Sequence, residues 1–191
     1  MSGFKALYEY CQSLEPRIKR KQILDKVLEI TGAQTVKPVI TTLDTTKVRG
    51  FFISVNNKEH PLVQQLGCNV IVVARGLNRC WDRFVFIKEL MHLFDVENEK
   101  TGTDKAFEAL LTEFEVQQPT ERSSQFTSDV KGLWMALSCL CPEKHRLEFI
   151  EQFQKGHIDH YGIALRLRIP QQYVQHLFHP NFNEIVSLLL K

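Results

Sequence analysis

The sequence predicts an α+β fold, with helices at both ends of the chain and a small three-stranded sheet between them. Three observations predict it. Phe4, Leu7, Tyr8, Cys11 and Leu14 recur at helical spacing near the start. Three apolar, β-rich segments, 36–42, 48–55 and 69–74, are then separated by turn-forming or polar residues. From about Asn78 apolar residues recur at helical spacing again, in the segment up to Asp95 and in 104–116. With 191 residues and 43% hydrophobic content, one sizeable core is feasible.

Taken in order, the first helix ends before Pro16, and Ile23, Leu24, Val27 and Leu28 mark a second that stops at Gly32. Between them Arg17, Lys19, Arg20 and Lys21 form a basic run, which reads as a solvated helix start. After the three strands, a helix is expected from about Asn78–Trp81 to about Asp95. Its apolar face, Phe84, Ile87, Leu90, Met91 and Phe94, is expected to pack on the sheet. Ala106, Phe107, Leu110, Leu111 and Phe114 give a helix near 104–116, and the polar stretch from Gln117 to Ser128 reads as a loop. Segments 158–167 and 170–178 have a helix–turn–helix pattern, and residues 181–190 form a last apolar helix.

The residues with chemical meaning are Lys88, Glu89 and His92. A zinc-protease helix carries His-Glu-x-x-His, in which two imidazoles four residues apart bind one ion and the Glu activates its water. Here His92 stands at the second ligand position and Glu89 at the general-base position, but Lys88 occupies the first. A protonated amine has three donors and no lone pair, so it cannot ligate a metal.

The flanks of this motif make it more specific. Arg83-Phe84, two apolar residues around Phe86, then Lys88-Glu89-Leu90-Met91-His92 and an apolar exit at Leu93-Phe94 follow a strand-like segment. Together they resemble the ImmA/IrrE family of zinc metallopeptidases, whose members read roughly Arg-Phe-(apolar)-His-Glu-Leu-Gly-His. Leu90 matches the family's Leu, and Met91 replaces its usual Gly. The family's third ligand is a Glu on a later helix that ends in Leu-Leu-x-Pro, and counting back from Pro142 through Ala136 places Asp129 there. The resemblance runs from about Val36 to Phe178 and includes the helix–turn–helix-like element.

The resemblance implies a zincin-like domain organisation. Residues 1–33 would be N-terminal helices, 34–142 a peptidase core with an inserted helix near 104–116, and 143–191 a C-terminal helical subdomain of one compact unit. It implies that the sheet's edge strand floors a substrate cleft; the residue 117–128 loop could sit over that cleft as a lid, although such a stretch is more often only a surface connection. It also implies His92 and Asp129 as metal ligands, with Glu89 and Lys88 at the catalytic motif positions. With Lys88 in place of the first ligand the expectation is a pseudoenzyme without zinc or other cofactor. Its ammonium would pair with Asp129, Glu89 or both and stand in for the ion. Because the family acts on helix–turn–helix repressors in mobile-element induction and stress responses, a regulatory role through a repressor-like protein partner follows. The alternative is an active metallopeptidase with a zinc held by His92, Asp129 and one of Glu108, Glu113 or Glu115.

Other chemistries stay open at this stage. Lys88 as a Schiff-base nucleophile would need a lowered pKa and an apolar pocket, against two adjacent carboxylates. His145, His157, His160, His176 and His179 include two i, i+3 pairs that a second metal would need. The helix–turn–helix pattern allows DNA reading, yet 171–178 holds no Lys or Arg, and phosphate neutralisation dominates DNA affinity. Direct nucleic-acid binding is therefore not expected. The near-even balance of 24 basic and 22 acidic residues demands no acidic partner. Cys11, Cys68, Cys80, Cys139 and Cys141 lack metal or redox spacing and read as reduced thiols of a cytoplasmic protein. No apolar run of a membrane span's length and no leader pattern occurs, so neither a membrane partner nor a signal peptide is expected.

Overall fold

A computed structural model describes residues 3–95 and 124–191. The expected helix near 104–116 and its Glu108, Glu113 and Glu115 lie outside the described residues. The described chain is a mixed α+β structure. Helices α1 (Gly3–Gln12) and α2 (Arg20–Thr31) lead into strands β1 (Val36–Thr41) and β2 (Gly50–Ile53). A short helix α3 (Pro61–Leu66), strand β3 (Asn69–Ala74) and helix α4 (Arg79–Leu90) follow, and a 3-10 turn (Met91–Phe94) closes this part. Helices α5 (Ser124–Leu140), α6 (Glu143–Gln154), α7 (His160–Leu167), α8 (Val174–Leu177) and α9 (Phe182–Leu189) complete it. None of the described helices is long and apolar enough to cross a membrane.

The sheet has the order β1-β3-β2, with β1 parallel and β2 antiparallel to the central β3. Every residue of β3 is buried, as expected for a Val- and Ile-rich strand covered on both faces. One face carries the main core, and the other carries a small cluster of Ile53, Val63, Val70 and Val72 under α3. Helix α3 went unrecognised in the sequence. Its signals are short-range ones: His60 accepts the amide of Leu62, Pro61 occupies the first turn, and Gly67 ends the helix at φ +64°.

Gly50 brings the sheet and α4 together. A β-carbon at this position would lie 2.4 Å from Val85 Cγ1 and 2.7 Å from the Val72 carbonyl oxygen. Gly50→Ala is therefore expected to destabilise the fold by about 1–3 kcal/mol through overpacking, read as a lowered denaturation midpoint. A change below about 0.5 kcal/mol would show that β2 is free to move away from α4.

Helix α4 starts from an Asn78 cap, whose side chain accepts the amides of Cys80 and Trp81. The expectation of one apolar face on the sheet is corrected here. Phe84, Val85, Phe86, Ile87, Glu89 and Leu90 are all buried, so α4 is enclosed on nearly every side. Val85 and Glu89 face β2 at Gly50, Arg20 lies over the ring of Phe86, and Phe84 stacks on Tyr173. Arg20 also pairs with Asp82, so the basic run is not wholly a solvated face. Half-buried Arg83 donates to the carbonyls of Leu167, Arg168 and Ile18, which ties α4 to the end of α7 and to the α1–α2 turn.

Two boundaries differ from the sequence reading. Residues 124–128 belong to α5 and not to a loop, because Ser128 points inward and is 1% exposed. The second helix of the helix–turn–helix pattern is reduced to a 3-10 turn (Gln171–Tyr173) and the four-residue α8. Val174 and Leu177 are buried there, so this element packs on the molecule itself.

Candidate functional site

The site forms where α5 crosses the end of α4. Gly132 of α5 faces α4 at the crossing: a β-carbon there would lie at ordinary contact distance, 3.4 Å from the Lys88 carbonyl oxygen and 3.9 Å from Met91 Cβ. The α-helix ends at Leu90 and tightens into the 3-10 turn, whose amide at Met91 reaches back to the Lys88 carbonyl. Lys88 and His92 still lie on the same side of the chain and reach one cluster with Glu89 and Asp129.

The geometry is specific. Lys88 Nζ lies 2.8 Å from Glu89 Oε1 and hydrogen-bonds Asp129 Oδ1. His92 Nε2 is 3.4 Å from Glu89 Oε2. On its other edge His92 Nδ1 donates to Asp95 Oδ2 at 2.6 Å, and Ser128 Oγ donates to the same oxygen at 2.6 Å. Lys131 Nζ approaches Asp95 Oδ1 at 3.9 Å, and the Phe52 ring of β2 stacks on His92 with centroids 6.2 Å apart. Glu89 and Asp95 have side chains only 2% exposed. Three carboxylates thus face two ammonium groups and one imidazole in a water-poor space.

The charge states follow from this arrangement. Burial alone would push the Lys88 ammonium down, but Asp129 and then Glu89 outweigh it and hold its pKa above the ordinary value. Burial likewise raises Asp129, yet Lys88 and His92 prevail and hold it below the usual carboxylate value. For His92 burial opposes the charged form, while hydrogen bonds with Asp95 and Glu89 raise its pKa to about 9. At neutral pH Lys88 and His92 are therefore both cations. The neutral amine that a Schiff base requires is suppressed, so that reading of Lys88 is set aside.

A stability prediction comes from His92. Its pKa rises from 6.5 to about 9 on folding, so its contribution is complete below pH 6.5 and is lost as pH climbs through 9. The amount at stake is on the order of 3 kcal/mol. Melting followed from pH 6 to 10 should fall across that window, and the fall should be absent in His92→Gln. A wild-type profile as flat as that of the variant would contradict the imidazolium assignment.

A metal can be tested against these residues. Glu89, His92 and Asp129 each offer a ligand atom, and these atoms lie within 4.8 Å of one another. Asp129, however, already accepts a hydrogen bond from the Lys88 ammonium, and Glu89 Oε1 is ion-paired with it at 2.8 Å while having no hydrogen bond among the described residues. The third is an imidazolium whose nitrogens both carry protons, and a metal needs the neutral ring. A divalent ion would require Lys88 to withdraw and His92 to lose a proton. As arranged, the donor set holds the Lys88 ammonium at the position where the motif would place an ion.

The sequence-predicted residues Lys88, Glu89, His92 and Asp129 are all brought together. Asp95 and Ser128, which orient the imidazole, were not foreseen. For Asp95 a signal existed, its i, i+3 spacing from His92, whereas Ser128 offered none. The proposed second histidine site is not assembled: His176 and His179 both pack edge-on against Trp134, His160 stacks between Phe153 and Phe178, and His145 contacts Glu15 and Glu148. Among the described residues the only grouping with metal-ligand spacing is Glu89, His92 and Asp129. All five cysteines are free thiols, four of them buried. No family model, no curated protein and no solved structure matches the chain.

Proposed function

We propose that the protein is a catalytically inactive relative of the ImmA/IrrE metallopeptidases, a zincin-like pseudo-peptidase of the cytoplasm that acts by binding a regulatory protein. The observation that carries this reading is the Lys88 ammonium bonded to Glu89 and Asp129 at the position where the motif would hold an ion. Zinc catalysis depends on lowering the pKa of a bound water to about 7 and on polarising the scissile carbonyl. An ammonium already paired with two carboxylates does neither. Glu89, which would serve as general base, is instead engaged as a counter-ion.

The retained Asp95–His92 pair supports the ancestry, since metal-binding imidazoles usually donate their second nitrogen to a carboxylate. A helix–turn–helix repressor is the partner that the family resemblance suggests. The second reading, an active enzyme with a zinc on Glu89, His92 and Asp129, draws on the closeness of their ligand atoms. Metal analysis of protein purified without chelators separates the two. Less than about a tenth of an equivalent of zinc is expected, and stoichiometric zinc that disappears in His92→Gln would overturn the inactive-site reading.

A further inference from the structure

The site around Lys88 is closed by its own ion pairs, which directs attention to a second concavity on the molecule. A groove of about 850 Å³ runs between the start of α4, the outer face of α7 and the turn before α8. This lies within the range of roughly 300–1,000 Å³ in which proteins receive ligands and inserted side chains. Ile169 is buried in its wall, and half-buried Trp81 forms part of it. Tyr161 and Leu165, one turn apart on α7, stand on it 56% and 49% exposed.

The charge of the groove is one-sided. No Asp or Glu lines it, and its one formal positive charge is Arg79, the first residue of α4. Arg79 is exposed, and among the described residues its side chain has no ion-pair or hydrogen-bond partner. It sits where the α4 dipole adds further positive potential. A guanidinium beside an apolar trough receives a carboxylate next to a bulky hydrophobic side chain, with the carboxylate held in a fork of two donors.

We infer that this groove docks a segment of a partner protein that presents a carboxylate beside a large apolar side chain. The inference rests on the reading of the chain as a protein-binding factor and names the face and the chemistry of that binding. Duplex DNA is the less favoured occupant, because one arginine neutralises too few phosphates for useful affinity.

A displayed library of random 12-residue peptides, panned on the full chain, tests this. Enriched peptides should share a Leu, Phe or Trp next to an Asp or Glu. Their synthetic, fluorescein-labelled forms should lose at least tenfold in affinity on Arg79→Glu and, independently, on Leu165→Asp. Replacing the peptide carboxylate by Lys should restore binding to Arg79→Glu. Both substitutions are at exposed positions, and a Glu in the first turn suits the helix dipole, so folding is retained. Failure to enrich any peptide, equal binding to both variants, or groove variants that alter duplex DNA binding instead would each overturn the proposal. None of these variants touches Lys88 or its partners, so the zinc analysis stands or falls separately.

Discussion

Lys88→Met is expected to destabilise the protein by about 3–5 kcal/mol, a drop in melting temperature of roughly 6–20 °C. The side chain is close in length and loses only the charge and its donors. What it leaves behind is Glu89, 2% exposed, and Asp129, 23% exposed, with no ammonium between them. Removing one member of a buried ion pair costs far more than the pair contributes, because the remaining charge keeps its desolvation penalty. Two checks distinguish this from simple repacking. The loss should shrink as pH falls toward 4, where the carboxylates protonate. Lys88→Met combined with Glu89→Gln and Asp129→Asn should recover more than half of it. Unchanged melting in Lys88→Met, or a loss indifferent to pH and to the added amides, would sink the account of Lys88 as the site's counter-ion.

The legibility of the site divides along physical lines. Spacing alone placed Lys88 and His92 on one side of a helix, and charge type alone predicted that the amine would seek carboxylates. Asp129 was reached only by counting register back from Pro142, a step that rested on the family resemblance. Asp95 and Ser128 escaped because a short polar residue at a helix end has many unremarkable uses. Their role exists only once α5 crosses α4 at Gly132 and brings a hydroxyl and a carboxylate to one imidazole edge.

The fold shows the same contrast. The three strands were legible from β-branched runs, although β2 proved shorter than its apolar segment. Helix α6 was passed over because its sequence, Glu143 to Gln154, is strongly charged, and its anchoring depends on buried Arg146. That guanidinium pairs with Glu143, donates to the Leu177 carbonyl and lies over Phe182, contacts that join α6 to α8 and α9. Periodicity could not reveal a helix docked through an arginine. Nor could it show that α4 is enclosed all round, since a helix with Arg83, Lys88 and Glu89 in its middle reads as amphipathic until Arg83 and Lys88 are seen to bond groups on other elements.

Lys88→His provides the strongest test of ancestry. Without metal it should be destabilised less than Lys88→Met at pH 6, where an imidazolium can still face Glu89 and Asp129, and much like it once the ring is neutral at high pH. With zinc added the behaviour should reverse. The ring at position 88, His92 and Asp129 would supply three ligands, and Glu89 would be released from the ammonium. Asp95 would still orient His92 through Nδ1. Met91, which replaces the Gly of the resembled family, is fully buried in the core beside Gly132. At a thousandfold excess of zinc over Kd, mass action adds about 4 kcal/mol of stability, so melting should rise by roughly 8–16 °C. The rise should be larger at pH 8 than at pH 6, because His92 must shed its proton to bind. The native protein should not respond to zinc at either pH. A native response equal to that of Lys88→His would mean that Lys88 yields its place to the ion, while no response in either would detach this cluster from any metallopeptidase lineage.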